Sequence, residues 1–124
     1  DGYWSNVWLV DPWVASYWGG RPTEDWMFSQ VYSKNAIDTG WSETFFNNPR
    51  FEELLPQARA ELDDAKRREM YVEMQRVVHD NCSVIIPIFS AYGHASSDKV
   101  KHPENIASNW EFDGNKNAER WWFG

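Results

Sequence analysis

The chain has 124 residues, a length that fits one modest domain with a usable hydrophobic core. Its net charge of −7 disfavours nucleic acid and anionic lipid as partners, because an acidic surface repels both. No run of the sequence approaches the roughly 20 apolar residues that a membrane-spanning helix needs.

The first 47 residues are rich in aromatic and turn-forming residues, which suit either a core or the walls of a pocket. Residues 13–18 predict a short strand that ends at the Gly19-Gly20 turn. Thr23 predicts the N-cap of a short helix that continues to about Tyr32. Residues 35–47 predict a loop.

Residues 48–80 predict helices. Asn48 is a suitable N-cap with proline following at the first helical position, and Pro56 should kink this helix or restart it as a second one. Asp63 and Asp64 begin a stronger helix that Asn81 should end. The apolar residues at helical spacing are Phe51, Leu54, Leu55, Ala58 and Leu62 in the first part, and Met70, Tyr71, Met74, Val77 and Val78 in the second.

Residues 83–89 form a continuous apolar run that is typical of a buried strand. Pro87 cannot donate a hydrogen bond to a ladder, so it should lie at an edge or a bulge. The chain ends on the adjacent aromatic residues 121–123, which are rarely left in solvent and should dock on another surface.

Enzymatic chemistry finds little support in this sequence, and we predict no catalytic residue, no metal and no cofactor. His79 and Cys82, with His94 and His102 far downstream, match no strong zinc pattern. There is no nucleophile elbow and no glycine-rich phosphate loop before a helix. Cys82, which cannot form an internal disulfide because it is the only cysteine, is expected to be a buried and unactivated thiol.

Neighbouring carboxylates leave one alternative open. Glu52-Glu53 and Asp63-Asp64 are adjacent, so on a helix the members of each pair point apart, and they suit solvated faces better than a glycosidase site. The aromatic residues beside carboxylates nevertheless keep a carbohydrate-binding or carbohydrate-active module as the alternative function.

Five segments, in order, resemble the C-terminal region of the family 5 extracellular solute-binding proteins, the peptide, dipeptide and nickel type. The segments are residues 17–23 (YWGGRPT), 47–55 (NNPRFEELL), 61–68 (ELDDAKRR), 71–75 (YVEMQ) and 85–89 (IIPIF). The closing residues 119–123 (ERWWF) are similar to the end of one branch of that family.

The resemblance implies an α/β fold: the C-terminal part of a two-lobed, type II-like periplasmic binding protein, with short strands and two to four helices. Residues 1–92 would belong to the second lobe in the order strand, helix, helix, strand. Residues 93–124 would return to pack on a first lobe that is absent here. Such lobes close on a ligand like a hinge.

The resemblance also implies a ligand-binding set of Tyr17, Trp18, Gly20 and Arg21. Tyr17 and Trp18 would wall in the solute. Peptide-binding members often carry an acidic residue where Arg21 stands here, and a fixed guanidinium selects a carboxylate instead. We therefore expect an acidic solute, such as an opine-like or carboxylated compound, although Arg21 as a surface turn residue paired with Glu24 or Asp25 stays an alternative.

The function implied is solute binding for an ABC importer, without catalysis. The partners would be a small, peptide-like or acidic solute, and the permease and ATPase of the same transporter. The location would be the periplasm or the outer face of the cytoplasmic membrane. Because apolar surfaces would be left without partners, we also expect this chain to self-associate.

Overall fold

The computed structural model describes residues 2–124 as two compact units. The first unit contains the described residues up to Tyr17 together with Thr23–Ile85. The second unit contains Trp18–Pro22 and Ile86–Gly124. Helix accounts for 46% of the chain, and the strands of the described residues are two short ones. The two-lobed α/β fold and its division at residue 92 therefore stay predictions.

Short helices begin the first unit: α1 (Tyr3–Asn6), α2 (Glu24–Met27), which continues into a π-helical turn (Phe28–Tyr32), and α3 (Lys34–Asp38). Thr23 caps α2 as predicted, its Oγ1 accepting a hydrogen bond from the Trp26 amide at 3.3 Å.

Helix α3 overlaps the start of the loop predicted for residues 35–47, and over residues 35–38 that prediction was wrong. The hydroxyl of Ser33 accepts a hydrogen bond from the Ala36 amide at 3.2 Å and starts the helix. Ala36 is buried, so its packing favours a helix in a polar sequence that predicts none.

Two longer helices, α4 (Pro49–Ala60) and α5 (Asp64–Asn81), pack against each other. The caps and ends follow the sequence. The Asn48 side chain accepts from two amides of the first turn of α4, Asp63 does the same for α5, and α5 ends at Asn81. Pro56 does not divide α4, which continues past it and ends at Ala60.

The core of the first unit lies where α4, α5 and the π-helical turn meet. Phe51 lies at its centre, with its ring centroid 5.3 Å from that of Phe28 and 5.5 Å from that of Phe46. The predicted apolar faces supply most of the rest: Leu54, Leu55, Ala58, Tyr71, Met74 and Val78 are buried. Leu62 is 92% exposed, because it lies beyond the end of α4.

The two segments predicted as strands, residues 13–18 and 83–89, are not strands in the structure. A strand is held by the hydrogen bonds of a neighbouring strand, and no described strand lies beside either segment. The second segment is also exposed, with Phe89 88% accessible, instead of buried as its composition predicts.

The second unit has little regular structure. Its elements are β1 (Val100–Lys101), α6 (Glu111–Asn115), α7 (Asn117–Arg120) and β2 (Trp122–Phe123). Strands β1 and β2 pair antiparallel, with Val100 opposite Phe123 and Lys101 opposite Trp122. The aromatic tail therefore has a partner in this chain, although Phe123 stays exposed.

Among the described residues, no helix combines the length and the apolar character needed to cross a bilayer.

Candidate ligand-binding site

The segment Trp18–Pro22, which contains the turn predicted at residues 19–22, belongs to the second unit and packs on residues 109–110. The observed bend falls at its end, at Pro22 and Thr23. Gly20 approaches the backbone there so closely that a Cβ on it would lie 2.3 Å from the carbonyl oxygen of Asn109. Such a distance leaves no room for a side chain, so glycine is needed at this position for contact and not for a special φ.

Arg21 is held by hydrogen bonds within this segment. Its Nη1 donates to the carbonyl oxygens of Gly19 at 2.9 Å and Gly20 at 3.2 Å. Its guanidinium carbon lies 5.5 Å from the ring centroid of Trp18, a cation–π distance. The side chain is half-buried. The cation is thus fixed by its own loop before any ligand arrives, which lowers the entropy cost of binding an anion.

Trp110 lies on the other side of this contact. A Cβ on Gly19 would lie 3.7 Å from the indole Nε1 of Trp110 and 3.8 Å from Nη1 of Arg21. The indole N–H of Trp110 makes no hydrogen bond to any described residue. A charged donor and an open neutral donor therefore lie close together around Gly19.

Trp110 also lines a groove of about 330 Å³ within the second unit. This volume is at the lower end of the range for small-molecule sites. The aromatic lining consists of Tyr92, His94, Trp110 and Phe112, and the hydroxyl groups come from Ser90 and Ser108. The lining suits a small solute with an apolar part.

Asp113 anchors the wall of this groove. Its carboxylate is buried and accepts hydrogen bonds from the Ala107 amide at 2.6 Å and from Arg120 Nη1 at 2.7 Å, both at Oδ1. The indole Nε1 of Trp121 donates to Oδ2 at 3.3 Å. Because Arg120 neutralises this carboxylate, Asp113 holds residues 107–121 together without presenting a negative charge to the groove.

The backbone around Asp113 is strained. Phe112, Asp113, Gly114 and Asn115 all have positive φ, between 47° and 67°. A left-handed conformation costs about 1–2 kcal/mol for each residue with a Cβ. The three hydrogen bonds to Asp113 offset this cost and keep Phe112 turned into the groove wall.

The structure brings together three of the four predicted ligand residues. Trp18, Gly20 and Arg21 lie in one short segment of the second unit, whereas Tyr17 belongs to the first unit. The ring of Tyr17 contacts that of Trp4, with the centroids 6.4 Å apart. The ligand roles of all four stay predictions.

Sequence reasoning missed Trp110 and the anchor formed by Asp113 and Arg120. One signal was present, since Asp113-Gly114 is a turn-forming pair placed between aromatic residues, with an arginine seven positions later. The pairing itself depends on the left-handed turn, which no local pattern announces.

A second group of aromatic side chains lies in the first unit. Trp8 contacts both Trp4 and Trp41, with ring centroids 5.5 and 6.0 Å apart. The indole Nε1 of Trp8 donates to Oε1 of Glu43 at 2.5 Å. Trp4 and Tyr17 are largely exposed. This aromatic cluster (Trp4, Trp8, Tyr17 and Trp41) is a weaker candidate, because Trp4 and Tyr17 present their rings largely to solvent.

The histidines and the cysteine do not converge. No group of three or more His, Cys, Asp or Glu side chains in residues 2–124 could hold a metal ion. Cys82 is half-buried with its thiol donating to Thr44 Oγ1 at 3.3 Å, and burial raises its pKa, which favours the unreactive thiol. His94 packs instead against Phe112 and Trp121.

No family model, curated protein or solved structure matches this chain.

Proposed function

We propose that this chain contributes to binding a small acidic solute, as part of an extracytoplasmic solute-binding protein that serves an ABC importer. The observation that carries the proposal is the position of Arg21. Its guanidinium is fixed by the carbonyls of Gly19 and Gly20, and a Cβ on Gly19 would lie within 4 Å of both Arg21 Nη1 and the indole Nε1 of Trp110. Trp110 in turn lines the aromatic groove.

The charges around the groove support an anionic ligand. Asp113, the acidic residue in the lining, is buried and paired with Arg120. Arg21 supplies a guanidinium, the side-chain group whose charge and donor geometry best match a carboxylate. The net charge of −7 repels an approaching anion at long range. The affinity for an acidic solute must therefore come from groups close to it, with Arg21 the first candidate. The resemblance to family 5 solute-binding proteins supplies the transporter part of the proposal, including the permease, the ATPase and the periplasmic location.

Two matched probes, 3-phenylpropionate and its neutral amide, test the proposal. Each is titrated into the protein while binding is followed by tryptophan fluorescence. We expect the carboxylate to bind at least tenfold more tightly than the amide, since one charge-assisted hydrogen bond contributes about 1.5–3 kcal/mol. Replacing Arg21 with Gln should remove that preference.

Arg68→Gln is the matched control, because Arg68 is an exposed arginine of α5 in the first unit. It should leave the preference unchanged. Equal affinity of the wild type for the acid and the amide would contradict an anion site at Arg21.

The aromatic cluster of the first unit favours a second candidate function, the binding of a neutral carbohydrate. Exposed aromatic rings beside the Glu43 carboxylate could cover a sugar face and accept hydrogen bonds from its hydroxyls. One experiment distinguishes the two candidate functions. Cellohexaose or a similar neutral oligosaccharide should then quench tryptophan fluorescence in a Trp4-dependent way, and Arg21→Gln should have no effect on it.

A further inference from the structure

The backbone groups of the segment Ile86–Ser90 have no backbone partner among the described residues. It has no helix, turn, bend or strand, and none of its residues has positive φ. No backbone hydrogen bond joins it to any other described residue. Unpaired amides and carbonyls on an extended apolar segment form a template for another strand.

Pro87 decides which side of the segment can pair. In an extended chain, successive residues direct their N–H and C=O groups to opposite edges, so residues i and i+2 share an edge. Pro87 has no N–H, so the edge that it shares with Phe89 lacks a donor. The opposite edge, which we refer to as the even edge, is formed by Ile86, Ile88 and Ser90 and keeps every donor and acceptor.

The charge pattern favours a second copy of the same chain as the partner. Residues 81–97 contain no Asp, Glu, Lys or Arg, and this is the longest such run in the sequence. Elsewhere two copies, each with a charge of −7, repel each other. The even edge is therefore where two copies can approach with the least electrostatic cost and with no like charges opposite one another.

We propose that two copies of this chain associate by antiparallel pairing of their even edges, at Ile86, Ile88 and Ser90. The pairing is symmetric, so each copy supplies the same residues. This interface would be the surface through which the chain self-associates, as the sequence leads us to expect, and the pairing does not depend on solute binding. The exposed side chains of Ile86 and Ile88 gain cross-strand neighbours when the ladder forms.

Two proline variants at adjacent exposed positions test the proposal. Ile88→Pro removes a donor from the even edge, whereas Phe89→Pro removes one from the edge that Pro87 already disables. By sedimentation equilibrium we expect a wild-type dimer, a dimer weakened at least about tenfold in Ile88→Pro, and a much smaller change in Phe89→Pro. Ile88→Val, which keeps the amide, should retain the dimer.

Residue-resolved amide exchange checks the same edge without any substitution. As protein concentration rises, the amides of Ile86 and Ile88 should become protected, while that of Phe89 should stay exposed. A wild-type chain that remains monomeric at millimolar concentration would overturn the proposal. Equal weakening by both proline variants, or protection of Phe89 together with Ile88, would overturn the assignment of the edge.

Discussion

At the scale of single residues, the best-defined requirement in the molecule is the absence of a side chain at Gly20. Its neighbour is a backbone carbonyl, that of Asn109, which cannot rotate away as a side chain could. The position of Arg21 depends on this contact, because Arg21 is bonded to the carbonyl of Gly20 itself.

We expect Gly20→Ala to destabilise the second unit by about 1–3 kcal/mol, the usual cost of forcing an extra methyl into a packed site. Urea unfolding followed by near-ultraviolet circular dichroism measures the change. Gly93→Ala is the control in the same unit, because a Cβ there meets nothing within 4 Å and φ is not positive. It should be neutral or slightly stabilising. Similar losses in both variants would mean that the turn does not pack as described.

Local sequence predicts the structural role of a residue well where its hydrogen-bond partner is only a few positions away in the chain. Thr23 and Asn48 were predicted as caps, and Asp63 with Asp64 as the start of a helix. All three positions could be predicted because each of these side chains accepts a hydrogen bond from an amide two or three residues further along the chain. Gly20 and Asp113 were not explained by the sequence, because their partners at Asn109 and Arg120 are brought close only by the fold.

At the scale of elements, two tyrosines of the first unit have perturbed ionisation, Tyr32 in the π-helical turn and Tyr71 in α5. Burial raises the pKa of Tyr32 to about 12, and burial together with the charge of Asp25 raises the pKa of Tyr71 to about 12. The hydroxyl of Tyr71 also donates to Oδ1 of Asp25 at 3.2 Å, and Arg59 pairs with the same carboxylate oxygen at 2.7 Å.

These pKa values predict a loss of stability in alkali. The unfolded tyrosines ionise near pH 10.0, while the folded ones stay protonated until about pH 12. The unfolded state therefore binds fewer protons in this range, and the free energy of unfolding falls as the pH rises from 10 to 12. Tyr71→Phe should reduce this alkaline loss, while costing about 1 kcal/mol at neutral pH through the lost hydrogen bond.

The matched comparison is Tyr92→Phe, at an exposed tyrosine of the second unit. Urea unfolding of the first unit at pH 7 and pH 11 should be the same in this variant as in the wild type. An alkaline loss that is identical in wild type and Tyr71→Phe would contradict the role of Tyr71.

Helices were predicted from sequence more reliably than strands, for a physical reason. The hydrogen bonds of α4 and α5 are internal to each helix, so caps and apolar spacing suffice to predict them. A strand needs a neighbour that the local sequence cannot supply. Residues 83–89 have the composition of a buried strand, but no described residue completes a ladder with them.

At the scale of the whole molecule, the chain combines a packed helical unit with a more open unit that carries the candidate site. The buried side chains of the first unit are mostly apolar, and the buried group of the second unit is the paired carboxylate of Asp113. The second unit therefore depends on a few polar contacts more than on apolar burial, which suits a region that binds a solute and adjusts to it.

We expect the protein to retain an acidic solute near Arg21, and native mass spectrometry of the gently purified protein measures this retention directly. We predict an adduct of small mass in the wild type that is released on unfolding, carries a carboxylate when fragmented, and is absent from Arg21→Gln. An adduct that survives unchanged in Arg21→Gln, or a wild-type protein that carries no solute and gains none when incubated with carboxylic acids, would contradict the account.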